Sequence, residues 1–375
     1  MYTDYISIGI TGTVGKTSTC LLLHSYLLNK HYKVITFTTA GIYFNTKCML
    51  NDFPQTTFVD KEKLLEFIDK EKPNYVILEL TAEANKFYAT DELHIMALTT
   101  FKNNVVQTFS SNDEYLQNKL NLFNTTKSIY KVLNNNCKEF TNNILSERGI
   151  ITFGDTNSDI YIVDSKIEKL KLCIKLNIYD KWIKTNLLSD INKDNILCFI
   201  SILKVLNKLD FKILKLVLSN INLPGRLEHY EISGRNIIID SGYNGINGLF
   251  PVIQKLKYKN IISVVCTYNF DETKKNILTT LYRYQKGLFY NNISSLCIFT
   301  KYGKNKGDEK LVLKELTKYL IKNYKIIEDR YDAIKYAWKH SKKGDYILLI
   351  GKGNEFNPNH MTDYQILLDV INTTE

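Results

Sequence analysis

The segment of this sequence whose residue types and spacing most directly imply chemistry is Thr11-Gly12-Thr13-Val14-Gly15-Lys16-Thr17-Ser18. A short apolar stretch, residues 5–10, precedes it, and a leucine-rich helical stretch, residues 16–29, follows. A strand, a glycine loop and a helix in that order make a phosphate cradle. Glycines let successive backbone N–H groups turn inward around phosphate oxygens. The helix N-terminus adds partial positive charge, and Lys16 adds a full one. Thr17 is placed to put a hydroxyl on magnesium. The strict G-x-x-x-x-G-K-[ST] form is not met, because Ile10 stands where its first glycine belongs, and the pattern is G-T-x-G-K-T. Gly12, Thr13, Gly15, Lys16, Thr17 and Ser18 are therefore the candidate phosphate-binding residues, with Mg2+ beside the phosphates.

Two carboxylates stand at strand ends. Glu79 closes an apolar run, where a carboxylate is costly unless paired or metal-bound. Strand ends in such sheets face the ligand crevice, so Glu79 is a candidate metal ligand. Asp240 closes another apolar run and is followed by Ser-Gly, which fits a turn cap or a nucleotide contact. The six histidines (24, 31, 94, 229, 340, 360) never pair at metal-ligand spacing and are assigned no chemistry.

These residues need a frame, and the sequence predicts one. Residues 33–38, 75–80 and 94–100 read as further buried strands, separated by helical stretches at 61–72 and 113–130. That alternation predicts a parallel sheet covered on both faces. Residues 169–178 change period and alternate polar with apolar, which predicts an antiparallel strand with one wet face. Two helices follow, at 193–207 and 211–219. Leu223-Pro-Gly-Arg226 then breaks the pattern and predicts a boundary between domains 1–222 and 223–375. A second strand–helix series follows, with strands at 236–240, 261–266, 295–300 and 346–350 and helices at 246–258, 273–290, 309–323 and 331–340. The expected fold is α/β: a P-loop ATPase domain with a mostly parallel sheet, then a Rossmann-like α/β domain.

Composition narrows the class. A chain of 375 residues suits two ordinary domains rather than one small core. No apolar run approaches the roughly 18 residues a membrane helix needs. Asp4 stands where a signal peptide would carry basic charge. The seven cysteines are scattered, odd in number and never spaced C-x-x-C, which argues for a reducing compartment, the cytoplasm. The net charge of +10 comes from lysines spread along the chain, with no arginine-rich block or aromatic RNA-binding signature, so nucleic acid is not an expected partner.

The variant loop resembles that of the Mur ligase family, most closely its UDP-N-acetylmuramoyl-tripeptide synthetase branch, and the likeness runs nearly end to end. Gln55-Thr-Thr57 resembles the family's T-T-P, and Leu78-Glu79-Leu-Thr81 its M-E-V-S, whose glutamate helps hold magnesium. Tyr115-Leu-Gln-Asn-Lys119 resembles Y-x-x-x-K, whose lysine is carbamylated in many members. Thr152-Phe-Gly154 and Asn192-Lys-Asp-Asn195 resemble the stretches that close the ATPase domain, the second of which helps hold adenine. Asn192 and Asn195 also fit a helix N-cap pair. Leu223-Pro-Gly-Arg226-Leu-Glu228 resembles the opening of the C-terminal domain, and 240–244 resembles D-Y-A-H-N. Asp329-Arg330 resembles D-R-x-x-A-I, and Gly344-Asp345 through Gly351-Lys-Gly-Asn-Glu355 resembles G-D ending in G-K-G-H-E.

The resemblance implies an ATP-dependent ligase that activates a carboxylate as an acyl phosphate for attack by an amine. It implies catalytic roles for Lys16, Lys119 and Arg226, magnesium on Thr17 and Glu79, and a second metal on a carbamylated Lys119. Nucleotide contacts fall to Asn192, Asn195, Arg226 and Asp240. Arg226 would reach the ATP phosphates when the domains close. The partners implied are a small-molecule or peptide carboxylate acceptor and an amine donor. Several positions depart from the family. Val105, Tyr243 and Asn354 replace its histidines, and Lys301-Tyr-Gly-Lys-Asn stands where the diaminopimelate-gripping D-N-P-R belongs. The loop begins at residue 11, so the N-terminal UDP-binding domain is expected to be absent, and either a partner subunit supplies that contact or the acceptor is not a UDP-muramoyl peptide. Two alternatives stay open: a non-catalytic or regulatory ATP-binding subunit, and a ligase closing a ring in tetrapyrrole coenzyme synthesis.

Overall fold

A computed structural model describes residues 4–49, 61–81, 92–101, 111–144, 149–241, 245–256, 259–266, 277–302, 308–321, 323–352 and 361–374. The chain divides into two compact units, Met1–Ile221 and Asn222–Glu375.

The first unit runs β1 (Ile6–Thr11), α1 (Lys16–Asn29), β2 (Val34–Thr38), β3 (Gly41–Phe44), β4 (Lys47–Cys48), α2 (Lys61–Glu71), β5 (Tyr75–Glu79), β6 (Glu92–Leu98), α3 (Asn112–Thr125), β7 (Lys127–Asn134), α4 (Lys138–Thr141), β8 (Ile150–Gly154), β9 (Ile160–Glu168), β10 (Lys171–Leu176), β11 (Tyr179–Leu188), α5 (Lys193–Val205) and α6 (Phe211–Asn220). Its sheet has the order β11-β10-β9-β8-β7-β6-β1-β5-β2-β3-β4. The pairs from β2 across to β9 are parallel, and antiparallel strands close both edges. All five residues of β2 and of β5 are buried, as in strands covered on both faces. The register sets Ile10 opposite Glu79 and Thr11 opposite Leu98, so the loop after β1 leaves the sheet between the ends of β5 and β6.

The second unit runs β12 (Glu228–Ile232), β13 (Arg235–Asp240), α7 (Gly245–Lys255), β14 (Ile261–Val265), α8 (Ile277–Ile293), β15 (Leu296–Phe299), α9 (Glu309–Thr317), β16 (Tyr324–Ile326), α10 (Arg330–His340), β17 (Tyr346–Ile350) and α11 (Asp363–Thr374). Its order is β12-β13-β17-β14-β15-β16, parallel except for β12. Ile350 lies opposite both Asp240 and Val265, so the C-terminal ends of β13, β17 and β14 meet along one edge. The mostly parallel α/β architecture is the expected one.

Some element boundaries differ from expectation. The helix predicted over 113–130 stops at Thr125, and β7 begins at Lys127. Thr126 leaves the helix in an extended conformation (ψ 111°), and the following residues pair in parallel between β6 and β8. Sheet pairing overrides the helical periodicity there. The helix predicted over 309–323 ends at Thr317, and 324–326 pair with β15. The strand predicted over 169–178 is shorter. Lys169 and Leu170 (φ 46° and 69°) form the two-residue turn between β9 and β10. β10 lies inside a β9–β10–β11 meander, with Leu172, Ile174 and Leu176 buried on one face and Lys171 and Lys175 half-buried on the other, where only Cys173 is buried.

Candidate active site

The phosphate loop is held by hydroxyls from the neighbouring strand ends. Thr13 N–H donates to Thr100 O (2.7 Å), and Val14 N–H to Thr100 Oγ1 (3.2 Å). Thr99 Oγ1 donates to Val14 O (2.6 Å), and Thr11 Oγ1 to Leu80 O (2.9 Å). Gly12 (φ 147°) and Gly15 (φ 88°) supply the backbone that other residues resist. A Cβ on Gly12 would collide with Thr99 Oγ1, and one on Gly15 with Asn195 Oδ1. The loop is therefore a cradle that side chains would fill. Lys16 Nζ arches back over it to Gly12 O (3.0 Å) and Thr13 O (3.3 Å).

Beside the loop, Thr17 Oγ1 donates to Glu79 Oε2 (2.8 Å). Thr39, just past β2, donates its N–H to the same oxygen (2.9 Å) and its hydroxyl to both carboxylate oxygens (3.3 Å each). Glu79 is 8% exposed, and these hydroxyls and the amide hold its carboxylate in one orientation. Two hard oxygen donors, Thr17 Oγ1 and Glu79 Oε2, thus stand next to the glycine loop and the Lys16 ammonium, a donor set suited to Mg2+ with phosphate.

Lys119 reaches this centre from α3. It is 1% exposed, and its Nζ donates to Thr11 Oγ1 (3.2 Å) over the Tyr115 ring (5.3 Å). Burial, then the positive charge of Lys16, holds its ammonium pKa well below the usual lysine range, against the pull of Glu79. Tyr115 donates its hydroxyl to Thr13 Oγ1 (3.2 Å). Asn192 and Asn195 are buried, and Asn195 Nδ2 donates to Asn192 Oδ1 (3.0 Å). Asn192 makes no side-chain cap on α5. Its Nδ2 donates to Leu188 O (2.8 Å), and the pair instead sets Asn195 against Gly15. Ser18 is buried in the first turn of α1.

The structure thus assembles Gly12, Thr13, Gly15, Lys16, Thr17, Glu79, Lys119 and Asn195 around one loop. Thr39, Thr99 and Thr100 complete it without having been singled out from sequence. Each lies just beyond a buried strand, β2 or β6, and that strand-end position is the only signal the sequence offers for them.

In the second unit Asp240 Oδ1 accepts from Leu227 N–H (3.2 Å). Arg226 is half-buried and donates Nη1 to Gly225 O (3.2 Å). Lys286, on α8, donates to Cys266 O (3.0 Å) at the end of β14, and burial lowers its pKa to about 8. Arg330 grips Asp363 through Nε (2.9 Å) and Nη2 (2.7 Å), both side chains buried. Gln55–Thr57, Val105, Tyr243 and Asn354 lie outside the described residues, as do Gly303–Asn305 of the segment replacing D-N-P-R. Among the described residues no cluster of His, Cys, Asp and Glu forms a ready metal site, and no helix is long and apolar enough to cross a membrane.

Comparison with known proteins agrees with this geometry. Residues 10–203 match the Mur ligase middle domain. The chain is 26% identical over 387 residues to UDP-N-acetylmuramoyl-L-alanyl-D-glutamate--2,6-diaminopimelate ligase of Clostridium botulinum, covering 96% of this chain and 74% of that one. Its fold is similar to MurF ligase of Thermotoga maritima in complex with ADP, with a TM-score of 0.65 and 16% identity, covering 99% of this chain and 80% of that one. It is also similar to folylpolyglutamate synthase of Mycobacterium tuberculosis complexed with ADP and AMPPCP, with a TM-score of 0.69 and 13% identity, covering 93% and 88%. The middle-domain match spans more than half of the sequence and contains the whole loop, Glu79, Lys119 and both asparagines: this chain belongs to the Mur ligase family.

Proposed function

We propose that Lys16, Thr17, Glu79 and Lys119 carry the activation step of a Mur-type ligation, with Arg226, Asp240, Asn192 and Asn195 as nucleotide contacts. The protein is an ATP-dependent carboxylate–amine ligase. Magnesium-ATP would supply its γ-phosphoryl group to a substrate carboxylate, leaving ADP, and attack of an amine on the acyl phosphate would form the amide with release of phosphate and a proton. The chain's own residues bind and orient. The Lys16 ammonium and the N-terminus of α1 neutralise phosphate charge. Thr17 Oγ1 and Glu79 hold the metal, and Thr39 fixes the carboxylate that does so. The buried Lys119 amine, whose pKa burial and the Lys16 charge lower, is the group a carbamate would form on, giving a second carboxylate-like ligand.

The observation that carries this reading is the 2.8 Å contact between Thr17 Oγ1 and the Glu79 carboxylate, beside a loop whose positions 12 and 15 admit only glycine. The name of the clostridial relative supports a UDP-muramoyl peptide carboxylate as the acceptor and a role in cell-wall synthesis. The amine is an amino acid, and diaminopimelate is not assigned, because Lys301-Tyr302 open the segment that replaces its gripping motif.

The test is phosphate release by the purified protein with magnesium-ATP, UDP-N-acetylmuramoyl-L-alanyl-D-glutamate and a panel of amino acids. Release that needs both acceptor and amine, and that K16A abolishes, supports the reading. Tight ATP binding without release under any combination overturns it in favour of a regulatory subunit.

A further inference from the structure

The turn that opens the second unit is fastened by two buried carboxylates. Gly225 has φ 65° and Leu227 φ 53°. A branched side chain in that left-handed region persists only where its surroundings hold it. Glu228 Oε2 accepts from Gly225 N–H (2.8 Å), and Asp240 Oδ1 accepts from Leu227 N–H (3.2 Å). Ser241 N–H closes the loop on Gly225 O (2.9 Å). The amides on either side of Arg226 are therefore each bound by a carboxylate, while Arg226 N–H turns back to Leu223 O (3.0 Å).

Glu228 is itself fixed. Its Oε1 accepts from Tyr230 OH (2.8 Å), and the Tyr230 ring stacks on Tyr364 of α11 (4.5 Å, 21°). Burial, then the Glu228 charge, raises the Tyr230 hydroxyl pKa far above its usual value, so it remains a donor. The chain of contacts runs Tyr364, Tyr230, Glu228, Gly225, and ends at the backbone of Arg226.

We propose that Glu228 is a positioning residue for Arg226. It holds the strained turn so that the guanidinium is presented in one orientation to the anion it serves, a phosphate oxygen of ATP. This rests on the assignment of Arg226 to ATP made above. The carboxylate accepts from the Gly225 amide with one oxygen and from the Tyr230 hydroxyl with the other, and of these two bonds the one to Gly225 holds the turn.

The experiment is titration calorimetry of the full chain with magnesium-AMPPCP. R226A is expected to weaken binding about tenfold, the weight of one charge-assisted contact. E228A is expected to weaken it by a similar factor, and the R226A/E228A double variant to be no weaker than R226A, because Glu228 acts through Arg226. E228Q keeps an acceptor for Gly225 and is expected to stay within about threefold of the parent. If E228A does not fold, E228D, one methylene too short to reach both partners, takes its place. Multiplicative losses in the double variant, or an E228Q loss as large as that of E228A, overturn the positioning role while leaving Arg226 on ATP. An unchanged R226A overturns the assignment of Arg226, and the proposal with it.

Discussion

In the first unit Lys16 and Lys119 rest on neutral oxygens, the carbonyls of Gly12 and Thr13 and the hydroxyl of Thr11. In the second unit Arg330 lies on Asp363, both buried, and the buried Arg283 lies on the partly buried Glu315. The difference separates charge kept for a ligand from charge spent on the fold. A lysine on a carbonyl has gained little and exchanges it readily for a phosphate oxygen. An arginine in a bidentate grip on a buried carboxylate holds two elements together, and here it joins the start of α10 to the start of α11.

The largest expected effect tests the first half of that contrast. K16A is expected to lose about a thousandfold in turnover, the scale for removing a charge aimed at a reacting group. Its melting temperature should stay within about 2 °C of the parent. A variant that unfolds instead would make Lys16 a structural residue and erase the contrast. Next is D363A. It leaves the Arg330 guanidinium buried with only Val264 O (3.3 Å) and Ile350 O (3.4 Å) among its former partners. Breaking one side of such a pair costs about 3–4 kcal/mol. Urea denaturation should show it as a lower midpoint, and an unchanged midpoint would break the comparison from the other side.

Lys286 sharpens the boundary, because it sits in the second unit yet is held by a carbonyl. Burial lowers its pKa to about 8, with Cys266 and Asp240 opposing and Arg330 assisting. Its folded pKa is below the unfolded lysine value of about 10.4, so between the two the unfolded chain binds more protons. Stability from this group therefore rises with pH from about 8 to 10.4, and below 8 the buried charge is a constant cost. K286M is expected to be more stable than the parent at pH 7 by about 1–3 kcal/mol, with the advantage shrinking as pH rises through that window. Equilibrium denaturation at pH 7, 8.5 and 10 measures it. A constant difference would show that Lys286 keeps the same charge in both states.

The loop, Glu79 and the strand–helix alternation were legible because each has a local signature: glycine spacing, a charge ending an apolar run, a change of period. Thr39, Thr99 and Thr100 carry no such mark, since a threonine past a strand end reads as an ordinary turn residue until the register brings three strand ends together. Asp363 was illegible for the same reason, being 33 residues from the arginine it grips. Strand β7 was hidden because its first residues continue a helical periodicity and only pairing with β6 and β8 decides against it. What the sequence withheld in each case is contact between distant segments.

The smallest effect concerns Tyr115, whose hydroxyl reaches Thr13 in the loop (3.2 Å) while its ring lies under Lys119. Y115F keeps the ring, and with it the stacking on Phe101 (5.7 Å, 19°) and the face offered to the Lys119 amine. It removes one hydroxyl contact among several that hold the loop, so the expected loss is about 1 kcal/mol, roughly fivefold in magnesium-AMPPCP affinity. Burial raises the Tyr115 pKa above 10, so the hydroxyl stays protonated and the fivefold factor should not vary between pH 7 and 9. Y115L removes the ring face as well and should weaken binding further. If Y115F is as damaging as Y115L, the loop hangs on this single hydroxyl, and support of the phosphate cradle by many neutral contacts, the feature that sets the first unit apart from the second, is wrong.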